Sequence, residues 1–263
     1  MARAQRTVRE VPWAWAVGGL LAGLAMAVVL FAPARWLAGA VARATQGQVQ
    51  LADPRGTVWD GSARLVLTGG RGSRDAAALP GRVGWELAPR WDGVAARLRS
   101  ECCTARAIAI RARARFGGLD LAIDDSQSQW PATVAAGLGT PWNTLQLEGD
   151  LQLSTRGLSV EWIEGRPVVT GRAELLALRV ASRLSTLRPM GSYRITLQGG
   201  APTTLRVETL EGALHLTGNG QWVGPRLRFR GEASATPERE AALSNLLNII
   251  GRRTGSRSLI TIG

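Results

Sequence analysis

Residues 51–67 read LADPRGTVWDGSARLVL, and this stretch decides the fold. Gly56 and Gly61 bracket Trp59, and the residues that follow alternate between small, charged and apolar types. Alternation with a period of two is typical of a β-strand, so we predict a strand over 56–67. The two glycines predict a close backbone approach, as at a bulge, with Trp59 as a buried anchor of the first sheet layer. Similar alternation continues almost to the end of the chain, whereas one long apolar segment precedes it.

The positive charge of the chain comes from arginine alone. Its 263 residues include 32 basic residues, none of them lysine, and the formal net charge is +12. A basic balance suggests nucleic acid or an anionic membrane surface as a partner. Because the arginines are spread along the predicted strands rather than clustered, we expect no nucleic-acid binding. The lack of lysine excludes a P-loop and Schiff-base catalysis.

Few residues offer catalytic or metal-binding chemistry. The one histidine, His215, lies in an alternating stretch and has no catalytic partner beside it in the sequence. Asp124 and Asp125 are the only adjacent acidic pair, and such a pair before a serine more often makes a turn or cap than an acid and base. We therefore expect no enzyme, no cofactor and no metal site. A glycan hydrolase that uses paired carboxylates is the enzymatic alternative.

The two cysteines are adjacent, at Cys102 and Cys103. Neighbouring residues on a strand point to opposite faces, so we interpret the pair as two thiols. A vicinal disulfide or an intermolecular bridge is the alternative.

An uncharged apolar run precedes the strands. Its most apolar part, about 21 residues, would rise roughly 31 Å as a helix, which matches a bilayer core. Because arginines precede the run, we predict a cytoplasmic tail at 1–11, a transmembrane signal anchor at 12–34 and a periplasmic β-rich domain at 35–263. A cleaved signal peptide is the alternative, since Ala32-Pro-Ala34 and Ala38-Gly-Ala40 resemble cleavage sites.

Short strands fill most of the remaining chain. Turn residues separate the alternating runs about every 8–12 residues, which is typical of an all-β domain. Short helices are predicted at 36–44, 129–138 and 237–251, the last with one apolar stripe that ends at a glycine. The fold class is therefore mainly β, an N-terminal transmembrane helix followed by an extended, twisted antiparallel sheet with a few short helices. The predicted strands lie at 48–52, 56–67, 83–87, 94–101, 104–115, 117–123, 144–154, 157–163, 167–179, 192–198, 203–209, 212–218, 225–235 and 258–262.

Three blocks of sequence carry a family resemblance. They are Gly-Thr-Val-Trp-Asp-Gly at 56–61, the Gly-Trp-Glu-Leu-Ala-Pro block at 84–89 with its following Asp-Gly, and the ending from 229 through the last helix. In order and spacing they resemble the type II secretion system protein N family. The residues that carry this motif, as structural rather than catalytic positions, are Gly56, Thr57, Val58, Trp59, Gly61, Trp85, Pro89, Gly93, Gly231, Leu243, Leu247 and Gly251.

The resemblance implies a single-pass inner-membrane protein whose bulk lies in the periplasm of a Gram-negative bacterium. It implies a non-enzymatic accessory or scaffold role in the export of folded periplasmic proteins across the outer membrane. The implied partners are the secretin and the assembly-platform proteins C, L and M. The family looks distantly similar to AsmA-like proteins, whose long sheets form lipid-lined grooves. A lipid-handling β-groove of the cell envelope is therefore the alternative function, with a lipid as its ligand.

Overall fold

One antiparallel sheet of 16 strands dominates the structure, a computed structural model that describes residues 13–70, 72–73, 75–115, 118–163, 166–224 and 226–263. The strands are β1 Val49–Gly56, β2 Asp60–Thr68, β3 Ala76–Ala78, β4 Val83–Arg90, β5 Gly93–Ser100, β6 Ile108–Arg115, β7 Gly118–Ile123, β8 Ser126–Pro131, β9 Leu147–Ile163, β10 Arg166–Ser182, β11 Gly191–Gln198, β12 Thr204–Gly212, β13 Leu214–Val223, β14 Arg226–Ala235, β15 Arg252–Thr254 and β16 Arg257–Ile262. The α-helices of the described part are α1 Trp13–Leu30, α2 Ala34–Ala44, α3 Trp142–Leu145 and α4 Glu240–Ile250, with 3₁₀ helices at Ala132–Leu138 and Pro237–Arg239.

The strands follow one another across the sheet nearly in chain order. The order is β1-β2-β4-β5-β6-β7-β9-β10-β11-β12-β13-β14-β16-β15, with β3 paired to β2 and β8 to β9. The strands β9 and β10 are 17 residues long, and β7 and β8 pair with successive parts of β9. Because each strand returns antiparallel to the one before it, alternate turns lie at the same end of the sheet.

The register sorts the side chains onto one apolar and one polar face. Trp85 lies opposite Leu98, and Leu98 lies opposite Ile108, so the apolar residues form cross-strand rows. We call this side the apolar face; it includes Ala63, Trp85, Leu98, Ile110, Leu121, Val160, Val169, Leu175, Ile195, Val207, Leu216, Ala233 and Ile260. The opposite side, the polar face, includes Arg97, Arg111, Arg113, Glu161, Arg172, Arg194, Arg206 and Arg230.

Helices pack on the apolar face near the two edges of the sheet. Ala34 of α2 packs with Ala63 and Trp85 in a small buried cluster. In a larger cluster, Leu243 and Leu247 of α4 lie with Tyr193, Leu214 and other buried residues. Burial of apolar side chains is the dominant favourable term in folding, so these two clusters anchor the helices to the sheet.

The sheet curls so that β2 comes close to β9, although four strands separate them in the sheet order. The 3₁₀ helix Ala132–Leu138 contacts β2 and β3 as well as β9. A Cβ atom added at Gly137 would lie 2.9 Å from the Cβ atom of Leu67, so the two backbones almost touch. Nearby, the side-chain amide of Asn143 donates to the carboxylate of Asp75 (2.8 Å). The apolar face of these strands is therefore the inner side of a curl.

The stretch 51–67 forms a hairpin, so the prediction of one strand over 56–67 is wrong. The strand β1 continues through Asp53 and Pro54, where a register shift takes up the irregular residues. Pro54 has no N–H to donate, and a bulge tolerates that loss. The chain reverses after Gly56, whose φ of +84° suits glycine, and β2 begins at Asp60.

Other predicted boundaries are also wrong. The predicted helix 129–138 is divided between β8 and a 3₁₀ helix, because the polar residues before Pro131 pair with β9. Residues 144–154 and 157–163 belong to the one strand β9, in which Gly157 (φ +54°) makes a bulge rather than a turn.

The cysteine pair lies in a turn after β5 and forms a vicinal disulfide between Cys102 and Cys103. The prediction of two thiols is wrong because it assumed strand geometry.

The prediction of a mainly β chain with a large antiparallel sheet and few helices is confirmed. In the part of the chain that the structure describes, no helix combines the length and apolarity needed to cross a membrane. The predicted tail 1–11 and the first residue of the predicted anchor 12–34 lie outside the described residues. The division into tail, anchor and periplasmic domain stays a prediction, as do the twist of the sheet and its likeness to AsmA-like proteins.

Candidate functional site

The turn between β1 and β2 joins the N-terminal helix to the sheet. The backbone N–H of Val58 donates to the carbonyl oxygen of Ala32 (2.8 Å), and the indole N–H of Trp59 donates to that of Val29 (2.7 Å). The last carbonyls of a helix have no partner within it, so Trp59 satisfies one of these orphan acceptors at the end of α1. Pro33 and Thr57 add an isolated β-bridge. These contacts fix where the chain leaves α1.

Trp85, not Trp59, is the buried tryptophan beneath this junction. Trp85 is 4% exposed, and its indole N–H points to the carbonyl oxygens of Val58 (3.1 Å) and Thr57 (3.3 Å). Trp59 is only half-buried. The buried anchor is therefore Trp85 on β4, not Trp59 as predicted. In the sequence, the alternation of Val83, Trp85 and Leu87 had indicated that Trp85 lies on an apolar face.

Gly61 makes room for the ring of Trp85. A Cβ atom at Gly61 would lie 2.6 Å from the ring of Trp85 and 2.7 Å from the carbonyl oxygen of Arg55. At Gly56 the added atom would lie 2.5 Å from the carbonyl oxygen of Asp60. Both glycines therefore permit a tight turn over a large aromatic side chain.

The motif residues of the second block, Pro89 and Gly93, lie on either side of the β4–β5 turn. Pro89 is exposed near the end of β4, opposite Val94. Gly93 begins β5, and an added Cβ atom would collide with the carbonyl group of Ala112 on β6. The structure thus places these two residues near one another but apart from Trp85.

The C-terminal motif residues form a separate group. Leu243 and Leu247 of α4 are fully buried in the larger cluster, as the predicted apolar stripe requires. Gly251 follows α4 in an extended conformation, where an added Cβ atom would collide with the carbonyl group of Leu259. The close approach of the Leu259 backbone, rather than a left-handed conformation at the helix end, explains why a glycine occupies position 251.

Gly231 lies under an aromatic ring. A Cβ atom there would lie 2.9 Å from the ring of Phe229, which also covers Gly218 and Gly220 on the neighbouring strand. The ring replaces the side chains that the glycines lack. It lets β13 continue through Gly218-Asn-Gly220, although the predicted strand ended at residue 218.

The larger cluster contains the single tyrosine of the chain. The hydroxyl of Tyr193 donates to the carbonyl oxygen of Leu214 (3.1 Å). Burial raises the pKa of this phenol above its ordinary value, because the ionised form is poorly solvated there.

The apolar face stays partly uncovered on the central strands, between the two edges on which the helices pack. Along β5, β7 and β9, Val94, Leu119 and Trp162 are between 38% and 43% exposed. Single exposed apolar residues are normal on protein surfaces, whereas a continuous apolar surface is characteristic of an interaction site or a ligand groove. These three side chains therefore leave apolar surface exposed on this face of the sheet.

The polar face carries arginine–carboxylate pairs along most of its length. Examples are Arg113 with Asp92 (3.1 Å) and Arg194 with Glu208 (2.9 Å). Exposed pairs of this kind contribute little stability, so their main effect is a solvated, self-compensated surface.

The adjacent carboxylates do not form an acid–base pair. Asp124 pairs with Arg111 (2.5 Å), whereas Asp125 accepts a hydrogen bond from the backbone N–H of Gly157 (2.7 Å). His215 is exposed on β13. Among the described residues, no group of three or more histidine, cysteine or carboxylate side chains is placed to hold a metal ion.

Residues 47–260 match the family described as type II secretion system (T2SS), protein N. The chain belongs to the type II secretion system protein N family. The match covers nearly all of the sheet, α4 and the junction turn, and it confirms the resemblance carried by the sequence blocks. No curated protein and no solved structure gives a significant match.

Proposed function

We propose that this member of the protein N family is a non-enzymatic accessory subunit of the type II secretion system, anchored in the inner membrane and acting as a scaffold in the periplasm. The single observation that carries the proposal is the family match, which covers nearly all of the sheet. The sheet supports a scaffold role because its 16 hydrogen-bonded strands provide a large surface, and the adjacent carboxylates are engaged in structural contacts.

The proposed anchor is α1 with its flanking residues. The 18 residues of α1 carry no charge, and they correspond to about 27 Å of helix, slightly less than a bilayer core. The sequence is uncharged from Val11 through Ala34, so apolar residues continue beyond both ends of α1. Leu20, Leu24 and Phe31 are exposed, which suits contact with lipid.

Loss of export is the test of the accessory role. We expect deletion of the gene to lower the amount of secreted enzyme in the medium and to raise it in the periplasm. Re-expression of the chain should restore export, and an export-defective variant with an intact sheet would locate the contact surface. Normal export with no periplasmic accumulation in the deletion strain would contradict the proposal.

The partly uncovered apolar face favours a second candidate function, the handling of a lipid chain. In this reading, acyl chains lie along the inner side of the curl against residues such as Leu121 and Val160. Lipid extraction and mass spectrometry of the purified chain should find a bound lipid. Leu121→Gln, on the apolar face, should reduce its amount, whereas Ala122→Gln, the next residue on the polar face, should not. Absence of lipid from the unaltered chain would contradict this function.

A further inference from the structure

One end of the sheet holds the exit point of α1. We call it the proximal end; it contains the turns 57–59, 91–92 and 199–203 and the end of β13 at Val223. The turns share this end because the strands alternate in direction and every pairing is antiparallel. The contacts of Val58 and Trp59 with the end of α1 place the helix there as well.

The proximal end exposes large apolar side chains. Trp91, in the β4–β5 turn, is 97% exposed. Leu119, Trp162, Val223 and Ile262 lie at or near the strand ends that form the proximal end, and they are 39–51% exposed. Tryptophan is favoured at the boundary between lipid and water, because its ring is apolar and its N–H can still be hydrated.

The proximal end also holds an unbalanced group of arginines. Arg206, Arg228 and Arg230 line an open cleft of about 830 Å³ on β12, β13, β14 and β16, together with Asn219 and Gln221. Arg206 lies opposite Asn219, which lies opposite Arg230, so donors form a row across the strands.

Among the described residues, no Asp or Glu side chain lines this cleft, whose lining also includes Leu205, Phe229 and Ile262. Within the described ranges, none of the ion pairs includes these three arginines, nor Arg99 and Arg156 elsewhere on the polar face, whereas the other arginines named on that face are paired. Guanidinium groups bind phosphate oxygens in a planar, two-pronged geometry. The cleft therefore has the chemistry of an anion site rather than of a self-compensated surface.

We infer that the proximal end of the sheet rests on an anionic phospholipid bilayer, with Trp91 at the interface and a lipid phosphate in the arginine cleft. Three independent features support one occupant: the exit of α1, the exposed tryptophans and the unpaired arginines. The inference rests on the proposed membrane attachment through α1. It adds that the open apolar face begins next to the membrane, since Leu119 and Trp162 belong to that face.

Cross-linking to lipid tests the orientation. The full chain is placed in nanodiscs of phosphatidylcholine and phosphatidylglycerol, with a photoreactive diazirine amino acid at residue 91. The matched control carries it at residue 105, beyond the other end of β5, a strand of eight residues or about 26 Å. We expect lipid adducts from the probe at residue 91 and none from the probe at residue 105.

The possible failures of this experiment are distinct. If the chain does not float with lipid vesicles, the membrane attachment is wrong and the inference falls with it. If the chain floats but residues 91 and 105 give equal adducts, the attachment stands and the orientation is overturned.

A second probe tests the arginine cleft. From residue 223 we expect enrichment of phosphatidylglycerol over phosphatidylcholine adducts, and Arg228→Gln or Arg230→Gln should lower that ratio about fivefold each, as expected for one basic residue near an anionic surface. Arg172→Gln is the control, because Arg172 is paired with Glu174 (2.8 Å) elsewhere on the polar face. An unchanged ratio in the cleft variants would overturn the lipid-phosphate site. Protein adducts in place of lipid adducts in cells would assign the cleft to an acidic partner and overturn it as well.

Discussion

Trp85→Ala should destabilise the sheet more than any other single tryptophan substitution near the junction. An indole buries roughly 150–250 Å², and at about 25 cal/mol per Å² this corresponds to ~4–6 kcal/mol of transfer free energy. The side chain is 4% exposed, so nearly all of this term applies. Measured truncations of large aromatic core residues cost about 3–5 kcal/mol, and we expect a loss in that range. Removal of the ring also leaves the carbonyl oxygens of Thr57 and Val58 without their indole donor.

The assay is equilibrium urea unfolding of the full chain in detergent micelles, followed by far-UV circular dichroism. Trp91→Ala is the matched control, since that side chain is 97% exposed and its removal should leave the free energy of unfolding within about 0.5 kcal/mol. Trp59→Ala should fall between the two, because the ring is half-buried and donates one hydrogen bond to Val29. Equal midpoints and equal slopes for Trp85→Ala and Trp91→Ala would refute the assignment of Trp85 as the anchor.

Three further predictions concern stability. Gly61→Ala should cost about 1–3 kcal/mol by overpacking against Trp85, whereas Gly84→Ala, where the nearest atom is 3.8 Å away, should be nearly neutral in the same unfolding assay. Leu247→Ala should lower the free energy of unfolding by about 2–5 kcal/mol. The control is Ile249→Ala, since Ile249 is an exposed residue of the same helix; equal losses for the two variants would show that α4 packs on a different face. Burial raises the pKa of Tyr193, so above pH ~10 the unfolded chain loses the phenol proton first and the free energy of unfolding should fall by up to about 1.4 kcal/mol per pH unit. Since the chain has one tyrosine and no lysine, Tyr193→Phe should flatten this alkaline decline, and an equally steep decline in the variant would contradict the assignment.

Period-two alternation predicted most of the strands because the two faces of the sheet differ strongly in polarity. The strand of alternating arginine and apolar residues at 108–115 is one example. The apolar stripe of α4 was predicted for the same reason, since it packs on the sheet with the 3.6-residue period of a helix.

The errors occurred where tertiary contacts override local signals. Gly157 and Gly218 are ordinary turn residues in isolation, but a bulge opposite Gly171 and the ring of Phe229 keep both within strands. Trp59 and Trp85 have similar sequence neighbours, since Trp59 follows a valine and Trp85 follows a glycine. Only the pairing of β2 with β4, which places Trp85 opposite Gly61, decides which of the two rings is buried. The arginine cleft was not predicted either, because its residues come from four strands and are adjacent only through their register.

Photocross-linking in cells, from probes along the edge strands β1 and β15 and at residue 91, tests the central claim most directly. If the chain is an accessory subunit of the secretion system, edge probes should give adducts with the secretin or with proteins C, L or M, and residue 91 should give lipid adducts. The experiment is done in cells that express the chain at its native level and secrete actively. The account would be contradicted if probes on the edge strands gave no adducts with secretion-system proteins.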